Sequence, residues 1–186
     1  MLKQITEYNK YVEITGFRNI KIENTPAFLS ILNKLLPGDI EIQFSDADFV
    51  ASWEHLYFAI VNALTAFKNK RNISKSLAVE TVLYASAQRQ IKKAIDTIGV
   101  KPTTRNVAMI IIAENTNALK TGLSIVVQHL GIKPDETVLE LSKTKIHLLR
   151  HAFDISDTEL ETATGDSNVV LVNFVIERVA LLSTQI

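Results

Sequence analysis

The alternation of apolar and polar side chains predicts the first strands of this chain. Along residues 39–45, Ile40, Ile42 and Phe44 alternate with polar residues, which is the period-two pattern of a half-buried strand. The pattern of residues 11–18 predicts another strand, which precedes this one in the chain.

Two further strands are predicted later in the chain. Residues 107–113 form a continuous apolar run that is rich in β-branched side chains, which is typical of a central strand covered on both faces. Residues 138–141 form a weaker candidate strand.

Apolar residues spaced three and four apart predict the helices of the first half. A short helix, capped by Thr25 and with Pro26 at its first position, is expected between the first two strands. From about residue 46 to residue 67 the spacing predicts a long helix that is apolar on nearly all sides, so it should run through the core. Ser74 is predicted to cap the next helix, and Gly99 to end a basic helix after it.

The second half is predicted to be helical apart from its strands. An amphipathic helix is expected at residues 116–130, followed by Gly131, and another at residues 142–153. Ser156 and Glu159 form a capping-box pattern for a short helix that ends at Gly165. A last helix is predicted at residues 167–183.

Composition excludes several classes of protein. With 186 residues and 47% hydrophobic side chains the chain can bury one core, so we expect a single domain over residues 1–186. No cysteine is present, which removes disulfides, thiolate nucleophiles and cysteine zinc sites. The longest apolar stretches are shorter than the roughly 20 residues that span a bilayer. We therefore expect a soluble, cytoplasmic protein without a membrane partner.

Motifs of catalysis and metal binding are weak. The sequence contains no nucleophile elbow, phosphate-binding loop or dinucleotide fingerprint, so we expect no enzyme activity and no cofactor. His147 and His151 stand four apart, as in some zinc sites, but lack the intervening glutamate of metalloproteases. Exposed or partly buried helix histidines are favoured there, and His55 is expected to be a hydrogen-bonded core residue.

Positive charge is concentrated in the middle of the chain, although the chain as a whole has no net charge. Residues 68–101 carry eight cationic and two anionic side chains, which is either a solvated face or a patch for an anionic partner such as nucleic acid. Tyr84 could add a ring for base stacking. The residues assigned to this patch are Lys68, Lys70, Arg71, Asn72, Lys75, Arg89, Lys92 and Lys93.

The last predicted helix carries more apolar residues than one core-facing stripe needs. It is either buried on all sides or partly reserved for a partner, and its β-branched run leaves a strand as a third alternative. The residues assigned to a partner-binding face are Val172, Ile176, Val179 and Leu182.

One segment of the sequence indicates a particular family, which composition alone cannot do. Residues 72–95, NISKSLAVETVLYASAQRQIKKAI, resemble the signature of the small kinase-binding regulatory subunit of KEOPS complexes, the PRPK-binding-protein family. Residues 43–47, His55 with its following small residues, and residues 177–182 resemble the same family in the same order. Family members often carry glycine at the position of Ala87 or Gln88.

This resemblance implies a fold and a function. The fold would be α+β, a helical layer packed on a small, largely antiparallel sheet. The protein would lack catalytic residues and would regulate the atypical kinase/ATPase subunit of a complex that makes threonylcarbamoyl-adenosine. It would also bind the single-stranded 3′ acceptor end of tRNA, and no DNA. The alternatives are a kinase-binding adaptor without RNA contact, and a metal-dependent enzyme that uses His147 and His151.

Overall fold

One antiparallel sheet organises the chain in the computed structural model, which describes residues 1–184. The sheet has four strands in the order β1-β2-β4-β3. The strands are β1 (Leu2–Ile5), β2 (Lys10–Phe17), β3 (Glu41–Asp46) and β4 (Val107–Ala113). The expected α+β class with an antiparallel sheet is confirmed.

Helices cover both faces of this sheet. Within residues 1–184 the α-helices are α1 (Thr25–Leu35), α2 (Trp53–Lys68), α3 (Leu77–Ala85), α4 (Ile91–Ile98), α5 (Thr116–Leu130), α6 (Lys143–Ala152), α7 (Asp157–Thr162) and α8 (Ser167–Leu181). Short 3₁₀ helices lie at Thr6–Tyr8, Ala47–Phe49, Glu136–Leu139 and Leu182–Thr184.

Strand β4 divides the core into two layers. Its side chains alternate, so that Ile110 and Ile112 pack with α2, α3, α4 and α8 on one face, while Met109 and Ile111 pack with α1 and α5 on the other. All seven residues of β4 are buried. The prediction of a central strand covered on both faces is therefore confirmed.

Several predicted boundaries in the second half are confirmed. Helix α5 spans the predicted residues, and Gly131 follows it in the left-handed conformation, with φ 64°. Helix α6 lies within the predicted segment. The capping box of Ser156 and Glu159 is present at the start of α7, although this helix ends at Thr162 rather than at Gly165.

Two helix caps differ from the prediction. The side chain of Asn24, not Thr25, accepts the backbone N–H of Ala27 at the start of α1. Ser76, not Ser74, caps α3, because the Ser74 hydroxyl accepts the backbone N–H of Ser76 and holds the loop before the helix.

The long core helix starts later than predicted. The Asp46 carboxylate accepts the backbone N–H of Asp48 at 3.1 Å and so caps a 3₁₀ helix in the segment that was expected to be α-helical. Ser52 then caps α2, which begins at Trp53. Phe49 consequently lies outside the helix, although the apolar spacing fits it.

The weak strand predicted at residues 138–141 is wrong, because a 3₁₀ helix occupies Glu136–Leu139. The Gly16 carbonyl of β2 accepts the backbone N–H of Asp135 at 2.8 Å, which brings this segment over the sheet. A β-carbon on Gly16 would lie 2.1 Å from a methyl group of Val138, so this close approach requires glycine. Strand β1 at the edge of the sheet was not predicted, since its four residues carry little pattern.

The last helix is buried on one side only. Leu171, Val175 and Val179 pack inward, whereas Val169 is 57% exposed and Leu181 is 41% exposed. The alternatives of a helix buried on all sides and of a strand are therefore wrong, and the helix leaves apolar surface exposed. By length and composition the segment Ser167–Thr184 could also cross a membrane, with mean hydropathy 1.3. Core helices pass the same test, so this property is weak evidence for a membrane span.

The turn between α3 and α4 contains a conformation that favours glycine. Ala87 has φ 51°, in the left-handed region that costs an L-residue about 1 kcal/mol. We predict that Ala87→Gly raises the free energy of unfolding by about 0.5–1 kcal/mol, measured by urea denaturation.

A matched control makes this test specific. Ala180 is exposed on α8 with helical geometry, so Ala180→Gly should instead lower the free energy of unfolding by about 1 kcal/mol. A loss of stability in both variants would contradict the assignment of strain to Ala87.

Candidate functional site

Helices α2 and α8 pack side by side in the same direction and hold a candidate site at each end. The amino-terminal halves of both helices line an apolar groove. The carboxyl-terminal half of α2 and the 3₁₀ helix that follows α8 line a second, polar groove. On α2 the apolar groove is lined by residues up to Phe58 and the polar groove by residues from Asn62 onward, so the grooves follow one another along the helix. No residue lines both grooves, so the two sites can bind different partners.

The apolar groove has a volume of about 740 Å³ and lies between α2, α8 and the 3₁₀ helix at Glu136–Leu139. Its apolar lining comes from Trp53 and Phe58 of α2, from Leu139, and from Val172 and Ile176 of α8. Phe58 is 42% exposed, which is unusual for a phenylalanine on a core helix. The groove therefore offers apolar surface that this chain does not cover.

Carboxylates border the apolar groove. Glu54, Glu136 and Glu140 line it, and no lysine or arginine side chain does so among the described residues. The amino group of Met1 also lies there, but it is ion-paired with Glu13 at 2.7 Å and with Glu136 at 2.5 Å. The rim of the groove is therefore acidic.

The four residues predicted for a partner-binding face separate in the structure. Val172 and Ile176 line the apolar groove. Val179 is fully buried and Leu182 is 3% exposed, because both point into the core beneath the sheet. These two residues were wrongly placed on a docking surface. A helical stripe alone does not distinguish core positions from those beside a groove.

The predicted cationic side chains are all exposed. We call them together the cationic surface: Lys68, Lys70, Arg71, Lys75, Arg89, Lys92 and Lys93. They belong to the end of α2, the loop that follows it, the turn after α3, and α4. These segments are connected through α3, which packs against both α2 and α4.

The loop that carries part of the cationic surface is held by a buried carboxylate. One oxygen of Glu80 accepts the backbone N–H groups of Ile73 and Ser74 at 3.0 and 2.7 Å. The side-chain amide of Asn72 donates to the Ser74 carbonyl at 2.9 Å, and Lys70 adopts φ 55°. No sequence pattern predicts these partners of Glu80, because they are backbone N–H groups of residues six and seven positions earlier.

Tyr84 links two of the cations. It lines the polar groove with Arg71. Burial and the Glu80 carboxylate raise the pKa of its phenol, and the nearby Arg89 guanidinium partly opposes this effect. Tyr84 is 5% exposed, so the prediction of a free ring for base stacking is wrong. The polar groove is also lined by the side chains of Asn62 and Asn69.

Not every predicted cation lies beside Arg71 and Arg89. Lys75 precedes α3, whose nine residues span about 14 Å, so it lies at the opposite end of that helix from Arg89. Lys92 forms an ion pair with Asp96 at 2.8 Å, which compensates its charge. Arg71 and Arg89 both lie near Tyr84, so we choose these two cations to test one shared anion-binding region.

Buried polar groups stabilise the walls of the apolar groove. The Nδ1 atom of His55 accepts the Ala51 N–H at 3.2 Å, so its Nε2–H donates to the Ala85 carbonyl at 2.7 Å. The Lys145 ammonium donates to the Val138 carbonyl at 3.0 Å. Burial lowers the pKa of Lys145 to about 8, while Asp48 and Asp46 oppose this effect.

The predicted role of His55 as a hydrogen-bonded core residue is confirmed. His147 and His151 are both exposed on α6. Among residues 1–184 no group of three or more histidine, aspartate or glutamate side chains could hold a metal ion. Sequence reasoning missed Trp53, Phe58 and the acidic rim as a site, because their convergence depends on how α2, α8 and a 3₁₀ helix pack.

Comparisons with known proteins agree on one family. The model of the kinase-binding protein CGI-121 family matches residues 17–183. The regulatory protein Cgi121 of Methanocaldococcus jannaschii is 34% identical over 152 residues, which cover 82% of this chain and 90% of that protein. The range matched by the family model includes the apolar groove residues of α2 and α8 and the cationic segments.

Acid should destabilise the fold through His55. Burial lowers the pKa of this imidazole from 6.5 to about 4. The unfolded chain binds a proton at His55 below about pH 6.5, whereas the folded chain does so only below about pH 4. The stability that neutral His55 contributes is therefore fully present above pH 6.5 and is lost as the pH falls from 6.5 towards 4. From pH 7 to pH 5 we predict a loss of about 2 kcal/mol in the free energy of unfolding, measured by urea denaturation.

The variant His55→Gln tests this assignment. Glutamine does not titrate, so the variant should be less stable at neutral pH and should lose most of this pH dependence. The same slope in the variant and in the original protein would assign the acid sensitivity to other groups.

Proposed function

Because the chain belongs to the CGI-121 family of kinase-binding proteins, we propose that it is a non-catalytic subunit of a cytoplasmic KEOPS-type complex. This complex modifies tRNA with threonylcarbamoyl-adenosine. In this proposal the chain binds and regulates the atypical kinase/ATPase subunit through the apolar groove. It binds the single-stranded 3′ end of tRNA through the cationic surface.

The observation that carries the proposal is the presence of two unlike surfaces, an apolar groove and a cationic surface, lined by different residues. An exposed apolar groove suits a protein partner, since monomers seldom leave such a surface in water. A cationic surface suits the phosphates of RNA. A subunit that links the kinase subunit to tRNA needs both kinds of surface.

The kinase part of the proposal depends on the exposed residues of α8. We predict that Val169→Arg and Ile176→Arg each abolish co-purification with the kinase subunit, because a charge in the groove must be desolvated on docking. Val169 is the more exposed residue, so its variant should retain the fold even if Ile176→Arg does not.

The control for this experiment lies on the same helix. Leu181 is also an exposed apolar residue of α8, but it lies outside the apolar groove, so Leu181→Arg should still bind the kinase. Retention of the kinase by a folded Val169→Arg variant would refute docking in the groove.

The RNA part of the proposal depends on Arg71 and Arg89. We predict that the double variant Arg71→Glu, Arg89→Glu binds tRNA at least about tenfold more weakly in filter-binding titrations. Loss of two phosphate contacts should also reduce the slope of log affinity against log salt by about 1.4. Removal of the single-stranded 3′ end from the tRNA should abolish the difference between the original protein and the variant.

The matched control reverses the charge of two lysines outside the cationic surface. Lys120 and Lys133 are exposed and lie outside the cationic surface, so Lys120→Glu, Lys133→Glu should leave affinity and salt slope unchanged. Equal losses in both double variants would indicate non-specific attraction. No binding of tRNA by the original protein would favour the alternative of a kinase-binding adaptor without RNA contact.

A further inference from the structure

We propose that the apolar groove receives an amphipathic helix of a protein partner, with apolar residues on the buried face of that helix and lysine or arginine along its edges. This inference rests on the proposed function only for the identity of the partner, which is then the kinase subunit. The chemistry of the occupant follows from the groove itself.

The apolar lining has the spacing of a helix-binding surface. Val169, Val172 and Ile176 follow one another at three- and four-residue intervals along α8, and Phe58 and Trp53 face them from α2. A partner helix laid along this row can insert its own apolar side chains at the same spacing. The volume of about 740 Å³ has room for several such side chains.

The rim selects the charge of the occupant. Glu54 and Glu140 line the groove, and neither forms an ion pair with any of the described residues. Glu136 pairs only with the amino group of Met1. Flanking cations on a docked helix would meet these carboxylates, while flanking anions would be repelled.

A cation already lies against an aromatic ring of the groove. The Lys3 ammonium is 4.7 Å from the centre of the Trp53 ring. Such contacts are attractive because the face of the indole carries negative potential. Lys3 therefore shows that a cation can lie beside the apolar lining, and the three glutamates of the rim outnumber this one cation.

The walls of the groove are fixed before any partner binds. His55 accepts a hydrogen bond from Ala51 at the start of α2, and Lys145 donates one to Val138 in the 3₁₀ helix. Both Ala51 and the 3₁₀ helix line the groove. A preformed site loses little conformational freedom on binding, which strengthens docking of a complementary helix.

The sole tryptophan of the chain provides the readout. Trp53 lines the groove, so its fluorescence reports occupancy without a label. The probes are two synthetic helical peptides without tryptophan that share one leucine face and differ only in their flanks, one with lysine and the other with glutamate. We expect a saturable fluorescence change with the lysine peptide, at least about tenfold tighter than with the glutamate peptide, that weakens as salt is added.

Variants assign the preference to the rim. The double variant Glu54→Lys, Glu140→Lys should bind the lysine peptide at least about tenfold more weakly and should bind the glutamate peptide more tightly. Glu161 is exposed on α7 outside the groove, so Glu161→Lys serves as the matched control and should bind like the original protein. Equal binding of both peptides, binding of neither, or self-association of the protein through the groove would overturn the proposal.

These outcomes are separable from those of the proposed function. If the kinase subunit binds and Val169→Arg prevents it, but the two peptides bind equally, the charge preference fails and kinase docking stands. If the lysine peptide binds selectively but the kinase does not bind, the helix-binding groove stands and the proposed partner is wrong.

Discussion

The packing of α2 between the sheet and α8 determines where both candidate surfaces lie. One face of this helix is buried with Leu56, Ile60 and Leu64 against β2 and β4. Because α8 packs along it in the same direction, the pair has two chemically different ends. His55 fixes the amino-terminal end by joining Ala51 to the last turn of α3. Any change that shifted α2 along the sheet would alter the apolar groove and the cationic surface together.

Buried polar groups in this fold orient backbone segments next to surfaces rather than perform chemistry. Glu80 holds the loop of the cationic surface, and Lys145 holds the 3₁₀ helix beside the apolar groove. Each such group is costly to bury unless its partners are in place. Their satisfied contacts therefore favour one arrangement of each segment, which preorganises both surfaces.

Local pattern predicted the elements whose own sequence carries a strong signal. The continuous apolar run of β4 and the periodicity of α5 are contained in one local stretch each, and the sequence located both elements. Helix caps were less certain, since Ser74 and Ser76 are chemically alike and only the folded loop decides which one caps α3. The 3₁₀ helix at Glu136–Leu139 depends on close approach to Gly16, a long-range contact that no local window contains.

The two candidate surfaces were predictable to different degrees, because one is contained in a single stretch of sequence and the other joins distant segments. The cations lie within one stretch of sequence, so a count of charges found them, and only their grouping around Arg71 and Arg89 needed the structure. The apolar groove combines α2, α8 and a 3₁₀ helix that are far apart in sequence. Its acidic rim comes from Glu54, Glu136 and Glu140, three glutamates that no charge count would group. A surface built from distant segments becomes visible only when the core that joins them is known.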